Sequence, residues 1–383
     1  MKSVMKENAA WIEETWEKLD KKLSRTAVKS RGKLPYTTVN GVHDDKKDTN
    51  LTAWTNGFWG GMMWLMYKRT GCEDYKITAE CSETLMDGAL ENYKMLHHDV
   101  GFMWHILSGA NYRLTGNQRS LNRNLAAAAS LAARFNIDGG YIRAWNGPWE
   151  EGGNQGWSII DCMMNIPLLY WASEEIGDPR FKRIAMAHAD MTLRDHIRAD
   201  GSINHIVEHD TETGEAVRVH GGQGCSETSC WSRGQAWAVY GTILSYIHTG
   251  EKRYLDAAVK TANYFIANCR ANGYLPVIDF RAPLEPMYFD STAGVCAACG
   301  ILETAKYVSP AEGRMYTQAA VEMLKAIDRN FCNYSGEEDS VVQMGSERYP
   351  LNDMKGVHIP IIYGDFFFAE AMLKLIGCEF LIW

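Results

Sequence analysis

Two kinds of helical segment alternate along this chain, and the alternation limits the folds that it can adopt. Six segments rich in Trp, Phe, Met, Ala and Gly each end at a glycine or serine, at residues 54–71, 102–116, 159–177, 231–250, 293–309 and 361–377. Five of them are followed at once by a more polar segment whose apolar residues recur at intervals of three and four; these start near Cys72, Asn117, Asp178, Tyr254 and Pro310. The amphipathic segment 9–23 is the sixth partner, so the sequence predicts twelve helices in six pairs.

Helices that are apolar on nearly all sides belong in the interior, whereas helices with one apolar stripe belong outside. The six pairs are therefore expected to close into two concentric rings, an all-α (α/α)6 toroid or six-hairpin barrel. The glycine stops lie at one rim, which puts the loops that enter the inner helices together at the opposite rim. Four of these loops are long, at residues 24–53, 136–157, 199–230 and 272–289, and the third carries β-hairpin signals. We expect a functional pocket there, with small β-hairpin insertions in its loops.

Composition and charge narrow the functional classes. The 383 residues are 46% hydrophobic and 22% charged, and no linker or compositional break divides them, so residues 1–383 are predicted to form a single domain. The net charge of -8 offers no general attraction to nucleic acid or to an anionic membrane. Charged residues near the N-terminus do not suit a signal peptide, and the longest apolar run, 58–66, is far too short to span a bilayer. We predict a cytoplasmic protein with no nucleic-acid or membrane partner.

Two spacings match metal-binding patterns. Cys296 and Cys299 have redox or zinc spacing, but no second pair follows, and the alanines between them suit tight helix packing. His205, Glu208 and His209 match an inverted zinc-protease pattern, which requires a helix, whereas turn signals on both sides of this segment predict a hairpin. We therefore expect no metal site, and the ten scattered cysteines are typical of reduced thiols.

Acidic residues stand where several inner helices begin. Asp161 is flanked by Ile, Cys and Met residues, so its carboxylate is expected to be poorly solvated, which favours the protonated form and suits a general acid near neutral pH. Asp99 is expected at the same rim, and two neighbouring carboxylates do not readily ionise together, which lets them take different roles. Asp290 and Asp365 also begin inner helices, where a lone Asp is typically an N-cap.

Tryptophans are frequent in or beside the entering loops, and flat rings lining an open pocket are suited to stack on the apolar face of a sugar. They are Trp54, Trp59, Trp145, Trp149, Trp157, Trp231 and Trp237. Core packing is the alternative, especially for Trp59 and Trp171. Arg233 lies on an inner helix, where a buried guanidinium requires an anionic partner: Asp99, Asp161 or a substrate carboxylate. An acidic pair, an arginine and aromatic platforms indicate a pocket for an acidic sugar.

Five separated motifs, in order from about Trp54 to the C-terminus, closely resemble those of the unsaturated glucuronyl hydrolases, glycoside hydrolase family eighty-eight. They are His98-Asp99-Val100-Gly101-Phe102, Asp161-Cys162-Met163-Met164-Asn165-Ile166-Pro167-Leu168-Leu169, Ser232-Arg233-Gly234-Gln235-Ala236-Trp237, Asp290-Ser291-Thr292-Ala293 and Tyr363-Gly364-Asp365. The resemblance implies a catalytic domain that removes the 4,5-unsaturated uronic acid from the non-reducing end of glycosaminoglycan oligosaccharides made by polysaccharide lyases. The partners it implies are unsaturated glycosaminoglycan disaccharides and short oligosaccharides.

The resemblance also implies hydration of a double bond rather than displacement at the anomeric carbon. The residue matching Asp161 is then the general acid and base: it protonates C4 of the vinyl ether and acts on the water that adds at C5, after which the hemiketal opens and releases the glycosidic partner. Asp99, by resemblance, sits beside it, holds ring hydroxyls and helps to keep Asp161 protonated. Proton transfer of this kind needs no cofactor, and none is predicted.

The resemblance assigns further residues to the substrate. Positions that contact the sugar, its carboxylate or the water are His98, His205, Gln223, Arg233 and Trp237, with Trp54 and Trp145 as stacking platforms. Some relatives that prefer sulfated sugars carry serines with a lysine in a loop near the C-terminus. Here Lys355 is present without the serines, and we include it among the expected substrate-binding residues.

Three alternatives stand beside this hypothesis. The first is the sister family of unsaturated rhamnogalacturonyl hydrolases, which share the toroid and the hydration chemistry but act on pectin fragments. The second is a non-catalytic toroid that binds an acidic sugar without turning it over. The third is a zinc-dependent α-toroid enzyme with cysteine and histidine ligands.

Overall fold

The structure is a computed structural model that describes residues 1–147 and 153–383. Its α-helices, in chain order, are α1 (Lys2–Glu7), α2 (Ala9–Lys29), α3 (Asn56–Thr70), α4 (Glu73–Leu85), α5 (Asp87–Leu90), α6 (Ala110–Thr115), α7 (Gln118–Ala132), α8 (Pro167–Ile176), α9 (Pro179–Met191), α10 (Ser232–Thr249), α11 (Lys252–Ala271), α12 (Ser291–Thr304), α13 (Pro310–Phe331) and α14 (Ile362–Leu375). Two π-helices (Gly101–Gly109, Thr192–His196) and two 3-10 helices (Tyr93–Met95, Ile160–Met164) complete the helical elements of these ranges.

The inner ring is formed by α3, the π-helix Gly101–Gly109 with α6, then α8, α10, α12 and α14. Each packs against the next, and α14 packs against α3, so the ring closes. Every residue of α12 is buried, as expected for a helix that is apolar on all sides. This confirms the predicted (α/α)6 toroid.

The outer ring is formed by α2, α4, α7, α9, α11 and α13, each buried along a single stripe. In α11 the stripe begins at Tyr254, Ala257 and Ala258 and recurs at the same spacing as far as Cys269. One difference from the sequence prediction concerns α2, which continues to Lys29 and so shortens the first entering loop. The main buried cluster draws members from both rings, from Val4 to Trp383.

The glycine stops lie where they were predicted. Gly71, Gly116, Gly177 and Gly250 each follow an inner helix in the left-handed conformation, with φ between 67° and 76°. A side chain is strained at such φ values, so glycine ends the helix there and turns the chain toward the outer ring.

One predicted inner helix is broken. The segment expected to be helical over 159–177 is a short strand, a 3-10 helix and then α8. The break lies at Asn165 and Ile166 because Pro167 has no N–H to continue a helix but is well suited to the first position of a new one. The 3-10 helix carries Asp161, so this break lies at the predicted site.

Short antiparallel strands stiffen the entering loops. They are β1 (Thr38–Val39), β2 (Val42–His43), β3 (Phe135–Asn136), β4 (Tyr141–Ile142), β5 (Trp157–Ile159), β6 (Ile206–His209) and β7 (Ala216–His220). β1 pairs with β2 and β3 with β4, whereas β5, β6 and β7 form one sheet in that order. The hairpin predicted in the third loop is therefore confirmed as β6–β7. Within the two described ranges, no helix combines the length and apolar character needed to cross a membrane.

Candidate active site

A cleft opens at the rim where the loops enter the inner helices. One cavity of about 670 Å³ is lined by residues that stand at the starts of four inner helices: Trp54, His97, Arg233 and Tyr363. A second cavity of about 680 Å³ contains His205 in its wall and shares Trp145 and Gln223 with the first. The two cavities together suit a ligand of disaccharide size, and they lie at the rim that the sequence predicted.

Asp99 is held just before the π-helix Gly101–Gly109, beside the cleft. Its loop is fixed by the backbone N–H of His98, which donates to the carbonyl of Ala144 at 3.1 Å, and the Ala144 N–H donates to the carbonyl of Trp157 in β5 at 2.9 Å. The loop of Asp99 and the strand that leads to Asp161 are thereby tied together. The Asp99 side chain retains 9% exposure, and His97, which contacts its carboxylate, lines the first cavity.

Two imidazoles and one amide surround the Asp99 carboxylate. His97 Nδ1 and His98 Nε2 lie 3.2 and 3.3 Å from Asp99 Oδ2, and Asn165 Nδ2 donates to Asp99 Oδ1 at 2.9 Å. Burial alone would raise the pKa of Asp99, but His98 and His97 outweigh it and lower the pKa below its ordinary range. Asp99 is therefore held in its ionised form.

The donor atoms of His97, His98 and Asp99 lie within 4.8 Å of one another, the one set in the described ranges that has the spacing to hold a metal ion. Both imidazoles, however, face the same carboxylate oxygen at hydrogen-bond distances. His98 Nδ1 is buried without a hydrogen-bond partner, whereas a metal-bound histidine normally donates its second N–H. We interpret the cluster as a hydrogen-bonded carboxylate.

The sheet β5–β6–β7 brings Asp161 and His205 together. The N–H of Ile160, which precedes Asp161, donates to the carbonyl of His205 at 3.1 Å. His205 Nε2 then lies 3.6 Å from Asp161 Oδ2, and the His205 ring packs on Trp231 with centroids 4.4 Å apart. The Asp161 side chain is 14% exposed, so it is close to solvent yet confined.

The backbone sets the proton on His205. The N–H of Gln223 donates to His205 Nδ1 at 3.0 Å, whereas the carbonyl of Gly221 lies farther from Nδ1, at 3.3 Å. The shorter contact favours the tautomer in which Nδ1 is unprotonated. The neutral ring therefore carries its hydrogen on Nε2, directed at Asp161. Gln223 in turn donates its side-chain amide to the carbonyl of Glu347, and this contact joins its loop to the wall of the cleft.

Arg233 is buried, but its partner corrects the sequence analysis. Arg233 Nη1 pairs with Asp290 Oδ2 at 2.6 Å rather than with Asp99 or Asp161, because Asp290 begins the neighbouring helix α12. Nη2 donates to the carbonyl of Glu347 at 2.8 Å, and the guanidinium lies over the rings of Trp231 and Tyr363. Arg233 Nε, in contrast, is buried without a hydrogen-bond partner.

The two other rim acids support the fold. Asp290 also caps α12, since its Oδ1 accepts the N–H of Thr292 at 3.2 Å. Asp365 accepts the N–H groups of Val341 and Val342, and burial raises its pKa to about 6. Asp290 is therefore the N-cap that the sequence indicated, and it is also the counter-ion of Arg233. The N-cap interpretation is wrong for Asp365, which lies inside the first turn of α14 and accepts from the segment 340–342 rather than from its own helix.

Trp54 and Trp145, the two stacking platforms that the resemblance implied, line the cleft, and Trp157 lines the second cavity. Trp54 packs nearly parallel to Tyr363, with centroids 5.1 Å apart and planes at 28°. Trp145 stands where the two cavities meet and contacts Trp157 at 6.0 Å. Trp149 lies outside the described residues.

Trp237 and Lys355 do not line the cleft. Trp237 is fully buried beneath the floor, against Phe102 and Phe367 at 5.3 and 5.6 Å, one helical turn below Arg233. Lys355 is exposed and is not among the residues that line either cavity, although the carbonyl of the adjacent Gly356 accepts the N–H of Glu347 in the cleft wall at 2.7 Å. Trp237 is thus a core residue in this structure, whereas a contact between Lys355 and the substrate stays a prediction. Trp59 and Trp171 are buried core residues, as the packing alternative predicted.

The two zinc-type spacings have other roles. Cys296 and Cys299 are fully buried in α12, where Cys299 donates to the carbonyl of Phe367. In the hairpin, Glu208 contacts His220 and His209 contacts Asp195, whereas His205 faces Asp161, so the three side chains do not converge.

Sequence reasoning missed Asn165 as a site residue. It is fully buried, and its side-chain amide donates to the Asp99 carboxylate and to the backbone carbonyl of Asp161. The signal was present, because Asn165 follows Asp161 by four residues and directly precedes the Ile166-Pro167 helix start. Glu347 and Tyr36, which hydrogen-bond each other in the cleft wall, belong to no motif and gave no comparable signal.

Known proteins resemble this chain in sequence and in fold. The sequence model described as Glycosyl Hydrolase Family 88 matches residues 26–273. The chain is 36% identical to an unsaturated glucuronyl hydrolase of Bacillus sp. (strain GL1), over 85% of this chain and 86% of that protein. It is 32% identical to an unsaturated chondroitin disaccharide hydrolase of Streptococcus pneumoniae (strain ATCC BAA-255 / R6), over 84% of this chain and 82% of that one.

The solved structures agree with the sequences. The crystal structure of the unsaturated glucuronyl hydrolase of Bacillus sp. GL1, described as responsible for the degradation of glycosaminoglycan, superposes with a TM-score of 0.85 at 33% identity, covering 94% of this chain and 97% of that one. These matches confirm the resemblance seen in the five motifs. The chain therefore belongs to glycosyl hydrolase family 88, the glycoside hydrolase family of the unsaturated glucuronyl hydrolases.

Proposed function

We propose that the cleft removes a 4,5-unsaturated uronic acid from the non-reducing end of glycosaminoglycan oligosaccharides. The observation that best supports this proposal is that the two carboxylates have different surroundings. The histidines beside Asp99 keep it ionised, whereas Asp161 Oδ2 is buried without a hydrogen-bond partner. A carboxyl oxygen that is not bonded to the protein is free to exchange a proton with a ligand, as a general acid must. The relatives that act on glycosaminoglycan and on chondroitin disaccharides support the substrate class.

The proposed reaction is hydration of the vinyl ether. The Asp161 proton goes to C4, and water transfers a proton to the Asp161 carboxylate as its oxygen bonds to C5. The C5 hemiketal then opens and the glycosidic partner leaves as an alcohol. In this scheme His205 Nε2–H, 3.6 Å from Asp161 Oδ2, orients the carboxyl group and the water beside it. Asp99 holds ring hydroxyls.

The substrate would be recognised by its charge and its ring. Arg233 Nε is a buried donor without a partner, on a guanidinium whose Nη atoms are already occupied, so we assign it to the uronate carboxylate. Trp54 and Trp145 offer ring faces to the sugar, while His98 and Gln223 complete the proposed contacts. The chemistry uses proton transfer alone, with no cofactor.

We further propose that residues 1–383 form one catalytic domain and that the protein lies in the cytoplasm. The main buried cluster, with members from Val4 to Trp383, supports a single domain. The ten free cysteines, several of them buried, support a reducing compartment.

The test follows the absorbance of the conjugated double bond with unsaturated chondroitin, hyaluronan, heparin and rhamnogalacturonan disaccharides. Loss of absorbance with a glycosaminoglycan member, abolished by Asp161→Asn, supports the proposal. The matched control is Asp256→Asn, an exposed carboxylate on α11 that should keep full activity. Loss with only the pectin fragment would support the sister activity, and binding without any loss would support a non-catalytic toroid.

A further inference from the structure

Asn165 occupies the break between the 3-10 helix Ile160–Met164 and α8, and all its polar atoms are used. Its side chain is fully buried. Oδ1 accepts the N–H of Phe102 at 2.8 Å, and since a backbone N–H can only donate, this contact fixes which end of the amide is oxygen. The NH2 group therefore faces the opposite way, toward the two acids.

The NH2 group has two hydrogens and two acceptors. Nδ2 donates to Asp99 Oδ1 at 2.9 Å and to the backbone carbonyl of Asp161 at 3.1 Å. One side chain thus contacts both segments that carry the carboxylates.

The surrounding packing leaves Asn165 little freedom. A Cβ atom at Gly101 would lie 2.7 Å from Asn165 Cα and 2.8 Å from Asn165 Oδ1, so only glycine lets the start of the π-helix approach this closely. The absence of a side chain at Gly101 is therefore part of how the amide is placed.

We propose that Asn165 is a positioning residue that sets the separation of the two carboxylates, through an amide bonded to Asp99 and to the Asp161 backbone. This inference rests on the proposed function, in which Asp161 is the acid and Asp99 the fixed charge. Asn165 is fully buried and its amide is bonded on every side to the protein, so it acts through its two partners rather than on the substrate.

The effect on Asp99 has a definite sign. A donor to the carboxylate favours its charged form, so removal of the amide raises the pKa of Asp99 toward its ordinary value. Activity then fails at a higher pH on the acidic side, because a protonated Asp99 no longer supplies the negative charge that holds the ring hydroxyls. The other titratable and charged groups around Asp99 stay in place in such a variant: His97, His98, Arg134, Asp161 and Cys162.

The experiment compares the pH profiles of kcat and KM for the wild type, Asn165→Ala and Asn165→Asp. For Asn165→Ala we expect kcat to fall about 10–100-fold, the acidic limb of kcat to move up by about one pH unit, and KM to stay within about twofold. For Asn165→Asp, which has nearly the same shape, a protonated carboxyl can still donate to Asp99. Its kcat should therefore be best preserved at low pH and fall as the pH rises.

The matched control is Asn124→Ala, which removes another fully buried asparagine whose amide contacts His105 rather than an acid of the site. It should lower the melting temperature without moving the acidic limb of kcat. An unshifted limb in Asn165→Ala together with a loss of kcat no larger than that of the control would overturn the proposal. If Asn165→Ala does not fold, the pH profile of Asn165→Asp decides in the same way.

A second arm needs no turnover. Thermal unfolding of Asn165→Ala, Asp99→Asn and the double variant forms a cycle, and we expect the two single losses in Tm to be clearly non-additive. Additive losses would contradict the bond between them. Inactive wild type with a non-additive cycle would refute the proposed function alone, whereas active wild type with additive losses would refute the role of Asn165 alone.

Discussion

His205 directs its protonated Nε2 at Asp161 Oδ2, 3.6 Å away, and in the described structure neither atom has a hydrogen-bond partner. Two buried polar atoms facing each other across slightly more than hydrogen-bond length leave room for a small adjustment when a ligand enters. The backbone N–H of Gln223 holds the ring in this tautomer from the other side. The Asp161 carboxyl therefore faces a ring that the backbone holds in place through its other nitrogen.

We expect His205→Ala to lower kcat by about 10–100-fold, because Asp161 loses the group that orients it but keeps its own chemistry. Steady-state rates from the loss of absorbance of the unsaturated disaccharide measure this. Asp161→Asn in the same assay should lose far more, about 10²–10⁴-fold or beyond. Equal rates for His205→Ala and the wild type would show that the 3.6 Å contact has no part in turnover.

The ion pair between Arg233 and Asp290 predicts a large stability effect. Both side chains are almost completely buried, at 2% and 0% exposure, so Asp290→Asn leaves a buried cation uncompensated. We expect the free energy of unfolding in urea at pH 7 to fall by about 3 kcal/mol. The matched exposed pair, Lys252 with Asp256 at 2.7 Å, should lose less than about 1 kcal/mol on Asp256→Asn. Similar losses for the two variants would contradict this reading of burial.

The Asp195 carboxylate, which contacts His209 of β6, should make the stability of the protein depend on pH. Burial raises the pKa of Asp195, but hydrogen bonds from His209 and Arg194 outweigh it and lower the pKa to about 2. The folded pKa lies below the unfolded value of about 3.9, so the ionised form stabilises the protein above that pH. This contribution is lost as the pH falls toward about 2.

The free energy of unfolding should therefore fall more steeply between about pH 4 and pH 2 in the wild type than in Asp195→Asn. Urea unfolding at closely spaced pH values measures both slopes. Parallel curves for the two proteins would rule out Asp195 as a source of acid lability.

Sequence reasoning reached the fold because its signals are local. A glycine or serine ends each inner segment, and apolar residues recur every three or four positions in each outer segment. Both signals act within one or two helical turns, so the paired helices could be placed without knowing their neighbours. Asp161 and Asp99 were predicted for a similar reason, since each begins an element that had already been placed.

The remaining errors concern contacts between elements distant in sequence. The partner of Arg233 depends on the packing of α10 against α12, which brings Asp290 within 2.6 Å. Trp237 follows Arg233 by one helical turn, and its depth below the cleft depends on how Phe102 and Phe367 fill the barrel. The spacing of residues along the sequence does not show how deeply a side chain is buried or which residue of another helix it contacts.

Trp54 and Trp237 differ in their depth in the barrel, so their substitution should affect different properties. Trp54 lines the cleft, whereas Trp237 lies fully buried under its floor. We expect Trp54→Ala to raise KM about tenfold, which corresponds to the loss of about 1.4 kcal/mol of stacking on the sugar. We expect Trp237→Phe to lower the melting temperature while KM stays within about twofold, since the smaller ring leaves a void in the barrel. Steady-state kinetics and thermal unfolding on the same preparations measure both quantities. A KM increase in Trp237→Phe that matches that of Trp54→Ala would place Trp237 in contact with the sugar and contradict its position beneath the floor.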